Sequence, residues 1–202
     1  EDIRIANCPA RQFLPKSHHS KNLILYLHGG GYYTGSSKSH HALLSHLCLT
    51  SNTRVIGLDY RLAPEHPYPA ALEDTLAVYR EMTEETPTSN IMIAGDSAGG
   101  GLTMACLQSL RDSSDPMPSC AALISPAVDL SITGAYGADA LSQNYYAGSY
   151  PRDHPGISPV FGEMQELPPI LIQYASDETH AEEIQRLIGK LNAAGVDVEI
   201  QA

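Results

Sequence analysis

Ile91-Met92-Ile93-Ala94-Gly95-Asp96-Ser97-Ala98-Gly99-Gly100-Gly101 is the stretch from which the rest of the chain can be read. Its apolar opening predicts the end of a buried strand, and Leu102 to Leu110 predicts a helix. Between them, Gly95-Asp96-Ser97-Ala98-Gly99 fits G-x-S-x-G, the strand-to-helix bend that raises a serine hydroxyl above a sheet. A bend this tight strains the serine backbone. The residues two before and two after it must then be nearly free of side chain. Alone the pattern is common in glycine-rich chains. Here the strand before it and the helix after it supply the context the motif requires.

Working outward, Leu23-Ile24-Leu25-Tyr26-Leu27 is a nearly unbroken apolar run, expected as a strand buried on both faces. It leads into His28-Gly29-Gly30-Gly31-Tyr32-Tyr33. Ser36 to Ser39 can cap a helix with Leu44, Leu47 and Cys48 inside. Arg54 to Asp59 is the next strand, and the proline-punctuated run Tyr60 to Pro69 can be neither helix nor central strand. A helix follows from Ala70 to Met82. Further strands are expected at Ile3–Ala6, Ala121–Ser125, Ile170–Tyr174 and Val196–Ile200, with a helical stripe Ala181, Ile184, Leu187, Ile188 and Leu191 ended by Gly195. Residues 127–168 read as loops and short helices laid over the core. Strands alternating with helices imply one α/β domain with a mostly parallel sheet covered on both faces. Ligands of such sheets sit outside the strand carboxyl ends, where His28, Asp59, Ser97 and Asp177 all fall.

Composition narrows the function classes. The 202 residues suit one domain, 43% hydrophobic and 17% charged, with a formal net charge of −11. That charge argues against nucleic acid or an anionic membrane surface as partner. No run is long enough to span a membrane, and no signal peptide opens the chain. The expected location is the cytoplasm. Cys8, Cys48, Cys106 and Cys120 form no C-x-x-C pair and read as buried free thiols. His18-His19 and His40-His41 lack the i, i+4 spacing by which one helix offers two imidazoles to a metal. The glycine run after Leu27 opens no G-x-G-x-x-G, so it reads as an amide cradle for an anion and not as a dinucleotide site.

His28-Gly29-Gly30-Gly31, then Asp59-Tyr60-Arg61-Leu62-Ala63-Pro64-Glu65-His66-Pro67-Tyr68-Pro69-Ala70, then Gly95-Asp96-Ser97-Ala98-Gly99-Gly100 together resemble the hormone-sensitive-lipase family of α/β-hydrolases. Pro168-Pro169-Ile170-Leu171 with Asp177-Glu178 resembles the family's strand and acid loop, and the likeness runs from about Leu23 to Ile200. The resemblance implies an α/β-hydrolase fold and a serine carboxylesterase acting on short acyl esters. It implies Ser97 as nucleophile, Asp177 as the acid that orients a histidine, and an oxyanion hole from the N–H groups of Gly30, Gly31 and Ala98. Glu178, Glu182 and Glu183 compete with Asp177 for the acid role. Asp96 is expected to brace the elbow, and Arg61 with Glu65 to pin the proline-rich loop. No metal or organic cofactor is implied. The partner is a small-molecule ester, and a homodimer is admitted.

The histidine is the departure. The resemblance puts it in a loop after the strand that begins at Val196, and none of the nine histidines of this sequence stands there. His28 reads as structural, and His180 as the solvated start of a helix. The helical N-terminal cap segment is also not matched, and the interval from Ser97 to Asp177 is short for a complete cap. The chain is therefore expected to lack the N-terminal cap and the histidine-bearing C-terminal segment, with a seam expected near Thr133 to Leu141. The rival reading is a catalytically inactive small-ligand receptor or binding protein on the same scaffold. Tyr32, Tyr33, Tyr145 and Tyr146 are candidates to line the pocket, with aromatic loop packing as the plainer expectation.

Overall fold

Leu23–Leu27, the first long apolar run, forms a strand in which every residue is buried. Its side chains divide by parity. Leu23, Leu25 and Leu27 enter one core cluster, and Ile24 and Tyr26 enter another on the opposite face. This strand is therefore the middle of the sheet.

The computed structural model describes residues 1–16, 20–132 and 145–202. In chain order the strands are β1 (Asp2–Ile5), β2 (Cys8–Phe13), β3 (Leu23–Leu27), β4 (Arg54–Leu58), β5 (Ile91–Asp96), β6 (Cys120–Ile124), β7 (Ile170–Gln173) and β8 (Val198–Gln201). The helices are α1 (His41–Ser51), α2 (Ala70–Glu85), α3 (Ala98–Asp112) and α4 (Ala181–Ala193). The sheet order is β1-β2-β4-β3-β5-β6-β7-β8. β2 pairs antiparallel with β1 and β4, and every pairing from β4 through β8 is parallel.

Helices cover the sheet unequally. The aliphatic residues of α2 and α3 meet Leu25, Ile91 and Ile93 on one face. The stripe Ile184, Leu187 and Leu191 of α4 extends that face over Leu123, Ile170 and Ile172. On the other face Leu44 and Cys48 of α1 cover Ile24, Tyr26 and Val55. All four cysteines are free thiols, Cys8, Cys48 and Cys106 being buried. Burial pushes the Cys106 thiol up to about 12.

Two elements differ from the sequence reading. β2 was not expected, because Pro9, Arg11 and Gln12 interrupt any apolar alternation. It forms because Ala6 and Asn7, at φ 48° and 63°, close a two-residue hairpin that pairs Ile5 with Cys8. The other is α3, which begins at Ala98 and not at Leu102. Three successive glycines disfavour helix by about 1 kcal/mol each, yet here they let its first turn press against neighbouring backbone, as described below. The expected seam near Thr133 to Leu141 lies outside the described residues.

Candidate active site

Each side chain of interest leaves the sheet at the carboxyl end of a parallel strand, as the topology requires. Ser97 is the single residue between β5 and α3. Its backbone takes φ 51° and ψ −119°, a region ordinarily reserved for glycine, at a cost of roughly 1–3 kcal/mol. The surroundings hold it there. The Ser97 N–H donates to the Ile124 carbonyl at 2.9 Å, and the Ser97 carbonyl accepts from Gly101 and Ala127 at 3.1 and 3.0 Å. A Cβ on Gly95 would stand 2.5 Å from the Gly99 carbonyl carbon, and one on Gly99 would stand 2.6 Å from that of Leu27. Both glycines are therefore dictated by close backbone approach. Among the described residues the Ser97 hydroxyl has no hydrogen-bond partner.

The glycine strap after β3 lies against this bend. The Gly29 N–H donates to Asp96 Oδ1 at 3.0 Å, and Tyr26 Oη donates to the same oxygen at 2.9 Å. Asp96 thus ties the strap to the elbow. Gly30 and Gly31 adopt φ 125° and 63°, and the Gly30 carbonyl is taken up by the Thr34 N–H at 2.9 Å and the Thr34 hydroxyl at 3.0 Å. No acceptor for the N–H groups of Gly30, Gly31 or Ala98 is found among the described residues. These N–H groups follow the carboxyl ends of the neighbouring strands β3 and β5, the side of such a sheet on which ligands bind.

The segment after β4 clamps the strap from behind. Tyr60 Oη donates to the His28 carbonyl at 2.6 Å, the Ala63 N–H donates to the Tyr32 carbonyl at 2.8 Å, and the Tyr60 ring stacks on His28 at 4.3 Å. The expected Arg61–Glu65 pin is corrected in one member. Arg61 Nε and its own N–H donate to Asp74 at 2.9 Å, and its Nη2 reaches Glu73 at 3.1 Å. Glu65 is exposed and takes no part, because α2 offers the guanidinium two carboxylates on its own first turns. Asp59 accepts from the Ser37 N–H and hydroxyl at 2.5 and 2.9 Å. His28 is a structural histidine, 2% exposed, and burial holds its imidazole below the usual value.

Two strands over, the loop after β7 presents the acids. β5, β6 and β7 are successive neighbours, so this loop lies about 10 Å from the elbow, two strand spacings. Asp177 is exposed and has no hydrogen-bond partner among the described residues. Glu178 turns inward, accepting from the Ser125 hydroxyl at 2.6 Å and the Ala175 N–H at 3.2 Å, while its Oε1 is buried and unpartnered there. Glu182 is exposed on α4. Glu183 is 4% exposed and accepts from the Val128 N–H at 3.2 Å, with His180 Nδ1 at 2.7 Å, so it fastens α4 to the segment after β6. Of the four tyrosines, Tyr32 and Tyr146 are core residues stacked at 3.6 Å, and Tyr145 is 41% exposed. The sequence missed the inward turn of Glu178, which a Ser125-Pro126 strand end could have signalled only through its partner.

Comparison with known proteins agrees with this geometry. A family model described as alpha/beta hydrolase fold matches residues 24–202. An acetyl-hydrolase of Streptomyces hygroscopicus is 39% identical over 214 residues, 98% of this chain and 71% of that protein. An esterase of Acinetobacter venetianus is 32% identical over 194 residues, 89% of this chain and 64% of that protein. The crystal structure of an esterase from the bacterial hormone-sensitive lipase family superposes with a TM-score of 0.95 at 36% identity, covering 100% of this chain and 72% of that one. The chain thus spans about two thirds of the length of the curated relatives it matches. Among the described residues no helix is long and apolar enough to cross a membrane.

Proposed function

The chain belongs to the hormone-sensitive-lipase family of α/β-hydrolases, and from that premise we propose that its protein is a serine carboxylesterase acting on short-chain acyl esters. The observation that carries the proposal is Ser97, held at φ 51° on the bend while the Gly29–Asp96 bond sets the glycine strap beside it. Ser97 Oγ attacks the ester carbonyl carbon and passes its proton to a histidine. The carbonyl oxygen, now negative, accepts from the N–H groups of Gly30, Gly31 and Ala98. Collapse of the tetrahedral centre expels the alcohol, which takes the proton back from the imidazolium. Water then repeats the sequence on the acyl-enzyme and releases the acid.

Asp177 is the proposed acid. Its exposed carboxylate leaves both oxygens for an imidazole N–H, whereas Glu178 already spends one on Ser125 and Ala175. By the family resemblance, the proton shuttle belongs to a histidine in the loop that follows β8. Four free thiols favour a reducing, cytoplasmic setting.

The test is hydrolysis of p-nitrophenyl butyrate by the full-length protein and by Ser97→Ala. The variant is expected to lose on the order of 10⁵-fold or more in kcat. Equal rates would overturn the nucleophile, and binding of the ester without turnover in the parent would favour a receptor on this scaffold.

A further inference from the structure

One ionisable pair behind the strap has no part in the steps above. His40, the residue before α1, turns its ring toward the end of β5. Its Nε2 lies 3.3 Å from Asp96 Oδ1 and 3.4 Å from Oδ2. At the other edge Nδ1 lies 3.0 Å from Ser39 Oγ and 3.3 Å from the Ser36 carbonyl. Ser39 Oγ also lies 2.8 Å from the Ser36 carbonyl. Nε2 faces a carboxylate, which only accepts, so Nε2 carries the N–H of this contact. The neutral Nε2–H imidazole already meets both edges, because the Ser39 hydroxyl can donate to Nδ1.

The carboxylate it meets is the one that holds the strap. Asp96 Oδ1 also accepts from the Gly29 N–H and from Tyr26 Oη, and Gly29 is bonded directly to Gly30. We infer that His40 is a positioning residue: its Nε2–H fixes the Asp96 carboxylate, which fixes Gly29 and hence the direction of the Gly30 and Gly31 N–H groups. The pair is half-shielded, His40 and Asp96 side chains being 19% and 25% exposed, so solvent screens the contact less than at the open surface. The groups facing His40 are few. β3 and its end contribute Tyr26 and His28, with rings 6.3 and 5.7 Å away. β5 contributes Asp96. Asp59, at the end of β4, is engaged by Ser37. Burial and Asp96 push the Tyr26 phenol up, and burial pushes the His28 imidazole down. Asp96 is the carboxylate that Nε2 meets.

The catalytic half of this inference rests on the proposed esterase reading; the structural half does not, and the experiment separates them. In the ¹⁵N-labelled full-length protein, the Gly29 amide shift is compared between the parent and His40→Ala. It is expected to move in that variant and to return part of the way in His40→Gln. In p-nitrophenyl butyrate hydrolysis His40→Ala is expected to lower kcat roughly tenfold with KM unchanged, as for slightly misdirected oxyanion donors. His40→Gln, which can still donate to Asp96, is expected to recover part of the loss. The double variant His40→Ala, Asp96→Asn should lose little more than the worse single one, because the two act in series. A Gly29 amide unmoved by His40→Ala overturns the inference, as does wild-type kcat in that variant. A parent protein without esterase activity would sink the esterase reading instead, and the amide shift alone would then decide the coupling. If His40→Ala fails to fold, His40→Leu, which has no donor, carries the test.

Discussion

At the elbow, a Cβ on Gly95 or Gly99 would run into main chain, Ser97 is locked by three backbone hydrogen bonds, and Asp96 gathers the strap. Two strands away Asp177 stands exposed without a partner among the described residues, its loop held through Glu178 and Ser125. The contrast fits the job proposed for each half. Oxyanion donors act only if they are aimed before the charge appears, so their positions are fixed by covalent and steric means. The acid only has to meet an imidazole N–H, and that bond can itself draw the carboxylate into place. Preorganisation is therefore concentrated where reorganisation would cost most.

The sharpest way to break the comparison is to exchange charge for amide in the acid loop. Asp177→Asn in the full-length protein is expected to lower kcat about 10³–10⁴-fold, by favouring the wrong imidazole tautomer. Glu178→Gln, which can still accept from Ser125, is expected to cost about tenfold or less. The reverse ranking in steady-state kinetics would transfer the acid role to Glu178 and make the inner carboxylate the reactive one.

Next in size is a pair of glycines. Gly99→Ala at the elbow should destabilise the fold by about 3 kcal/mol, since its Cβ meets the Leu27 and His28 backbone and not a side chain that can swing away. Gly189→Ala in α4, where a Cβ meets nothing within 4 Å, should stabilise by roughly 0.5–1 kcal/mol. Urea denaturation reads both. A mild Gly99→Ala would mean the bend has slack that the geometry denies it.

The smallest effect concerns pH. Burial depresses the His28 imidazole, so the unfolded chain binds a proton at a pH where folded His28 does not. Stability therefore rises with pH and is lost as pH falls below about 6.5, the ordinary histidine value. His28→Asn should flatten the slope of unfolding free energy between neutral and mildly acid pH. An unchanged slope would show that His28 titrates normally behind the strap.

Much of this architecture is written in local pattern. Leu23–Leu27 and Ile91–Ala94 are apolar without interruption because both faces of a central parallel strand are covered, and the G-x-S-x-G spacing records steric limits that the Gly95 and Gly99 contacts make explicit. What stayed hidden depends on partners distant in sequence. Pro9 and Arg11 disguise β2, whose pairing with β4 joins Phe13 to Val55. Arg61 finds Asp74, not the nearer Glu65, because the helix after the proline run brings its first turns back. Glu178 and Asp177 are adjacent carboxylates in one short loop, and the position of Ser125, just past the end of β6, tells them apart. His40 is one of two adjacent histidines without metal-ligand spacing until the fold sets it against Asp96.

The account turns on Ser97 as the attacking atom. The most direct measurement is mass spectrometry of the full-length protein after treatment with a fluorophosphonate, a reagent that phosphonylates an activated serine. One adduct is expected, on the peptide carrying Ser97, with activity lost in proportion to its occupancy. An adduct on another residue, or full activity with Ser97 phosphonylated, would contradict the account.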